Sequence, residues 1–139
     1  APCPVLIVQP ESTSQRQNVL TAVNFQSHKP AYQELNEQVI ARGTWMANVY
    51  DAKLHVVNAY QDSLHYPDRT KLTNNTGVDS ANIHVQAGDA DEVIADVAKK
   101  VDADIVVLGV RSRNSRWRGN TLEKIITQVN CDILAIHQS

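Results

Sequence analysis

Apolar residues in this chain switch between two spacings, and the switches mark where strands give way to helices. Short runs rich in β-branched residues at 54–59, 105–109 and 133–136 predict strands. The last two are almost wholly apolar, as expected of strands covered on both faces. Residues 19–23 predict another strand, and 82–85 a weaker, half-exposed one. Between these, Pro30 opens a helix in which Leu35, Val39, Met46 and Val49 recur at near-helical spacing through to Tyr50, with Gly43 a small local cost. Asp89 with Glu92 predicts a capped start for a second helix, whose buried stripe is Val93, Ile94, Val97, Ala98 and Val101. Asn120 with Glu123 repeats that arrangement for a third, carrying Leu122, Ile125, Ile126 and Val129. Strand, helix and strand repeated in this way imply right-handed crossovers and a parallel sheet.

Residues 61–81 break the pattern. They hold Pro67, Gly77 and several Asn and Asp with little periodic apolar signal, so a regular crossover helix is not expected there. A functional lid and a shortened crossover both fit, with the plain connection favoured. At the N-terminus, residues 3–8 echo residues 131–136 in apolar character, about one domain length apart. Residues 1–17 therefore read as the last strand of a preceding domain copy plus a polar linker from Pro10 to Gln17, and 18–139 as one α/β domain.

Composition narrows the function classes. Hydrophobic residues at 42% and charged residues at 20% are ordinary globular usage, and a net charge of −2 gives no global reason to bind nucleic acid. No apolar run approaches the roughly 18 to 20 residues of a membrane span, and no signal peptide is evident, so a cytoplasmic location is the expectation. Cys3 and Cys131 are too few for a disulfide framework and read as thiols.

The motifs resemble the universal stress protein superfamily, most closely the second half of its tandem, E-type members. The resemblance rests on residues 19–24, on Leu35, Asn36 and Glu37, on 88–94, on 104–109, on Gly119, Asn120 and Thr121, and on 131–136, and it is strongest after Gly88. It implies an open five-stranded parallel sheet of order 3-2-1-4-5 with helices on both faces. It also implies association through last strands in antiparallel sense. Residues 5–8 are accordingly expected to pair with 133–136, in this chain or a partner, covering an edge that otherwise invites aggregation. A disordered terminus is the alternative.

In such a sheet, ligands bind beyond the carboxyl ends of the strands where the order reverses, here between the first and fourth family strands. Asn24, Gly88, Gly109, Arg111, Ser112, Arg113, Arg116, Gly119, Asn120 and Thr121 are the candidate residues for a nucleotide or anion there. ATP-binding relatives carry G-x-x-G, nine residues, then G with Ser or Thr, a pattern that presents backbone amides and a helix N-terminus to phosphate. Gly109, Gly119 and Thr121 fit it; Ser112 replaces the second glycine, and only six residues, 113–118, precede Gly119. Asn24 stands where ATP binders carry aspartate. No cofactor is therefore expected, and ATP binding in the family manner is disfavoured. Arg111, Arg113, Arg116 and Arg118 around Trp117 suit an anion, although a solvated loop whose arginines pair with surface acids is the favoured reading.

No catalytic constellation stands out. His28, His55, His65, His84 and His137 are scattered, without zinc-ligand spacing or a nucleophile elbow, and Asp89, Asp91 and Glu92 read as helix-start residues. The expectation is a binding or regulatory unit working by self-association or with a tandem partner domain. A nucleotide- or anion-binding regulator using residues 111–118 is the alternative.

Overall fold

The computed structural model describes residues 4–9, 17–25, 30–61, 64, 66–111 and 115–138; at 111, 115–121 and 138 only the backbone course is described. Six strands, β1 (Val5–Ile7), β2 (Asn18–Ala22), β3 (Lys53–Tyr60), β4 (Ile83–Ala87), β5 (Ile105–Arg111) and β6 (Asp132–Gln138), form one sheet of order β1-β6-β5-β2-β3-β4. Four helices connect them: α1 (Pro30–Tyr50), α2 (Arg69–Thr76), α3 (Ala90–Lys100) and α4 (Ser115–Gln128). The five-strand sheet expected from the sequence is thus a six-strand one, because the N-terminal segment is a full member and its order must include β1. β2 through β6 pair in parallel, and β1 lies antiparallel on β6, with Val5 opposite Ala135 and Ile7 opposite Ile133. Gln9 fastens this segment further, its backbone N–H donating to Asp132 Oδ1 at 3.0 Å and its side chain to the Ile126 carbonyl at 2.9 Å. The linker expected at 10–17 falls almost wholly outside the described residues.

Two apolar layers follow from period-two alternation along the strands. Leu20, Val57, Val106 and Ile133 face α3 and α4, packing on Val93, Val97, Ile125 and Val129. Val19, Val56, Ile105 and Val107 face the other way, onto Leu35, Val39 and Met46 of α1 and Leu72 of α2. Gly43, expected as a small cost, lets α1 sit close to the sheet: a Cβ there would collide with Thr21 Cγ2. Thr21 is itself buried and bonded to the His55 carbonyl.

Two elements differ from expectation. The 61–81 connection contains α2, an eight-residue helix whose start is fixed by Asp68, which accepts from the Thr70 and Lys71 amides, and whose end is fixed by left-handed Gly77 (φ 70°). Leu72, fully buried, is its anchor. α4 begins at Ser115, so Asn120 is not its cap but lies inside it. Asp89 does occupy the cap position of α3, but its carboxylate makes no cap bond and accepts from Gln61 Nε2 at 3.3 Å.

Candidate functional site

The carboxyl ends of β2 and β5 diverge, and between them lies a cavity of about 150 Å³. Ala22, Val23 and Asn24 form one wall, Leu108, Gly109 and Val110 the other; α1 contributes Tyr32, Leu35, Asn36 and Val39, and Ala90, Ile94, Leu122 and Ile125 close the remaining side. Most of these are apolar. The backbone leaving β2 is held by side chains from two other elements. Val23 donates to the Val57 carbonyl at 3.0 Å, continuing the ladder. Buried Asn36 then grips Asn24 at both backbone groups, accepting from its N–H at 2.9 Å and donating to its carbonyl at 2.8 Å. Fully buried Asn58 accepts from the Phe25 N–H at 2.8 Å. These bonds replace strand pairing where β2 has ended, and they aim the turn. Asn24 Oδ1 is buried with no hydrogen-bond partner among the described residues.

On the β5 side, Leu35 lies over Gly109. A Cβ at Gly109 would stand 2.5, 2.7 and 2.8 Å from Leu35 Cγ, Cδ2 and Cδ1. The missing side chain is therefore used by an apolar residue of the same chain.

The remaining sequence candidates are distributed as follows. Gly88 follows β4 with φ 137°, donates to the Tyr60 carbonyl at 2.9 Å and makes the turn into α3; it does not line the cavity. A side chain there would be strained and pressed 3.1 Å from Val93 Cγ2. Arg111 ends β5, paired with Gln138. Ser112 and Arg113 lie outside the described residues. Arg116, Gly119, Asn120 and Thr121 lie in the first turns of α4, where only the backbone is described. Gly119 and Thr121 are thus helical residues, not members of a separate loop preceding a helix. The structure brings Asn24 and Gly109 together and adds Leu35, Asn36 and Asn58. For Asn36 a signal existed, since it is a polar residue next to Leu35 in the buried stripe of α1, where burial demands hydrogen-bond partners.

Among the described residues, the histidines and Asp91 do not line this cavity. His55 and His84 meet across β3 and β4 with ring centroids 5.8 Å apart. His55 Nε2 bonds Asn18 Oδ1 at 3.3 Å, while His55 Nδ1 and His84 Nε2 are buried without partners among the described residues. Burial first, then His84 and Lys53, hold the His55 imidazole below its ordinary pKa; burial first, then Lys100 and Arg69, do the same for His84. Asp91, buried on α3, accepts from Gln128 Nε2 of α4 at 3.2 Å and serves packing. Among the described residues no cluster of three or more His, Cys, Asp or Glu is arranged to hold a metal ion, and no helix is long and apolar enough to cross a membrane. His28 and His65 lie outside the described residues.

Comparison with known proteins agrees with this architecture. The chain is 30% identical to universal stress protein E of Escherichia coli (strain K12), covering 97% of this chain and 51% of that protein. It spans about half the length of the curated relatives it matches. A crystal structure of a functionally unknown protein from Pseudomonas aeruginosa PAO1 superposes with a TM-score of 0.84 at 24% identity, over 99% of this chain and 53% of that one. A universal stress protein in complex with cAMP superposes at 0.65 with 20% identity, over 91% of this chain and 100% of that one. At such identities the structural likeness is one of fold. The profile of the Universal stress protein family matches residues 16–137, nearly the whole of the sheet and all four helices, and the chain belongs to that family.

Proposed function

We propose that this chain is a cytoplasmic stress-response module that works by associating with a partner, a second copy or the other half of a tandem chain, rather than by turning over a triphosphate. Leu35 over Gly109 carries this reading. In ATP-binding relatives the glycine at the end of this strand keeps backbone amides open to phosphate; here an apolar side chain covers it. The cavity, at about 150 Å³, is also below the roughly 300–1,000 Å³ usual for small-molecule sites. The shortened 113–118 segment and Asn24 in place of aspartate point the same way. The association half of the proposal is supported by β1. It ends the sheet, so its outer edge pairs with no other strand among the described residues, and Val5, Leu6 and Val8 are exposed. Its antiparallel place on β6 suits residues 1–17 as the last strand of a preceding copy plus linker.

A second reading, a nucleotide- or anion-binding regulator using residues 111–118, is favoured by the position of the cavity at the point where strand order reverses. The solved relative in complex with cAMP is in keeping with it. Two measurements on one preparation separate the readings. Sedimentation of the chain, alone and with Leu6→Lys, reads association through the β1 edge. Thermal unfolding with ATP, cAMP and phosphate reads ligand binding, because a ligand of the native state raises the midpoint. Association lost in Leu6→Lys, with no midpoint shift at millimolar nucleotide, supports the association module. A monomer whose midpoint rises with micromolar nucleotide overturns it.

A further inference from the structure

A second cavity, of about 390 Å³, lies between α1 and α2 and shares Asn36 with the one at the strand ends. Its size is at the lower end of the range that accommodates small molecules. Two helical stripes face across it: Gln33, Glu37 and Ala41 of α1, one turn apart in succession, and Lys71 and Asn75 of α2, also one turn apart. Phe25 and Ile40, both half-buried, supply the apolar wall.

The charges decide what such a cleft can hold. Glu37 and Lys71 are both exposed, both line the cavity, and neither makes an ion pair with any described residue. A multiply charged anion such as a nucleotide would gain Lys71 but lie against Glu37. A simple cation or anion would leave one of the two charges without a counterpart. A small molecule carrying one positive and one negative group, with an apolar portion, satisfies both charges and the wall together. Gln33 and Asn75 supply amides beside the charged pair. Asn36 lines the cleft as well, but its amide is committed to Asn24, so it acts as wall and as the link to the turn after β2.

We infer that the α1–α2 cleft binds a zwitterion of the free apolar amino-acid type, its carboxylate on Lys71, its ammonium on Glu37 and its side chain against Phe25 and Ile40. The position of α2 makes this site. Asp68 and Gly77 fix both ends of that short helix and Leu72 anchors it, so Lys71 and Asn75 are presented on a defined turn. Because both charges are partly solvated, affinity is modest, with a dissociation constant on the order of a millimolar.

The test is a proton–nitrogen NMR titration of the whole chain with leucine, N-acetyl-leucine, leucine amide and ATP. Leucine is expected to shift the amides of Gln33, Glu37, Lys71 and Asn75 saturably, with each capped analogue at least about tenfold weaker. Lys71→Gln should abolish the preference for leucine over its amide. Glu37→Gln should abolish the preference over the N-acetyl form. Both positions are exposed, and the amide spectrum of each variant verifies its fold. No saturable shift with leucine or phenylalanine up to about 10 mM overturns the inference. So does equal binding of the capped analogues, or ATP shifting these amides when leucine does not. None of these readouts depends on β1 or on the Gly109 cavity, so their failure is distinguishable from failure of the association reading.

Discussion

The contact between Leu35 and Gly109 can be measured as a coupling energy. Gly109→Ala places a methyl 2.5–2.8 Å from three Leu35 carbons, well inside contact. Leu35 is only 6% exposed, so it cannot move aside without disturbing α1 and the cavity wall. Overpacking of this kind costs about 1–3 kcal/mol, and we expect about 2. Leu35→Ala alone removes a buried side chain and leaves a hole, for which about 3 kcal/mol is expected. In the double variant the new methyl enters vacated space. The clash is gone, and the restriction that Ala imposes on the unfolded chain now adds up to about 1 kcal/mol of stability. The double variant should therefore be no less stable than Leu35→Ala, a coupling of about 2 kcal/mol or more between the two sites. Urea unfolding followed by circular dichroism, on all four proteins with a shared slope, gives the numbers. Additivity within about 0.5 kcal/mol would refute the packing described here, because independent sites add to that precision.

Three further outcomes follow from other parts of the molecule. Asn24→Asp puts a carboxylate where the buried Oδ1 has no partner among the described residues; it should cost about 1–3 kcal/mol at pH 7 and recover as acid neutralises it, since burial raises the pKa of a carboxyl there, while a variant as stable as wild type at pH 7 contradicts the burial. Because the folded-state pKa values of His55 and His84 are lowered, the unfolded chain takes up protons first; stability present above about pH 6.5 should fall with acid through the folded values, and less steeply in a His55→Gln, His84→Gln double variant, with equal slopes counting against the pair. Asp68→Ala removes the cap of α2; a loss of about 1 kcal/mol, with hydrogen-exchange protection falling across residues 70–76 before the rest of the chain, is expected, and unchanged protection there would show that the cap is idle.

How much of this was legible from the residues varied with how local the cause was. α1 could be read to both ends, because Pro30 fixes its start and the Leu35, Val39 and Met46 stripe runs unbroken to its last turn. The place of β1 beside β6 followed from the family resemblance, with its antiparallel association of last strands, and the apolar echo between residues 3–8 and 131–136 alone did not give it; whether β1 would pair within the chain followed from neither. α2 was missed because eight residues with one buried anchor give no periodicity; its signal lay in the Asp68 cap and Gly77. The start of α4 was placed late because Asn120 with Glu123 mimics a cap arrangement inside the helix, and a helix tolerates Gly119 at a cost of about 1 kcal/mol. Gly43 and Gly109 were seen as glycines but not as contact points, since what fills the space above each comes from another element. The His55–His84 encounter needed the register of β3 on β4, which spacing alone does not supply.

The central claim is that Leu35 covers Gly109 and narrows the crevice at the ends of β2 and β5 to a cavity too small for a nucleotide. A crystal structure grown from this chain with millimolar ATP and magnesium tests it most directly. Leu35 packed on Gly109, Asn36 gripping the Asn24 backbone and no nucleotide between β2 and β5 is the expected result. A triphosphate seated there, with Leu35 displaced and amides after Gly109 on its phosphates, would contradict the account.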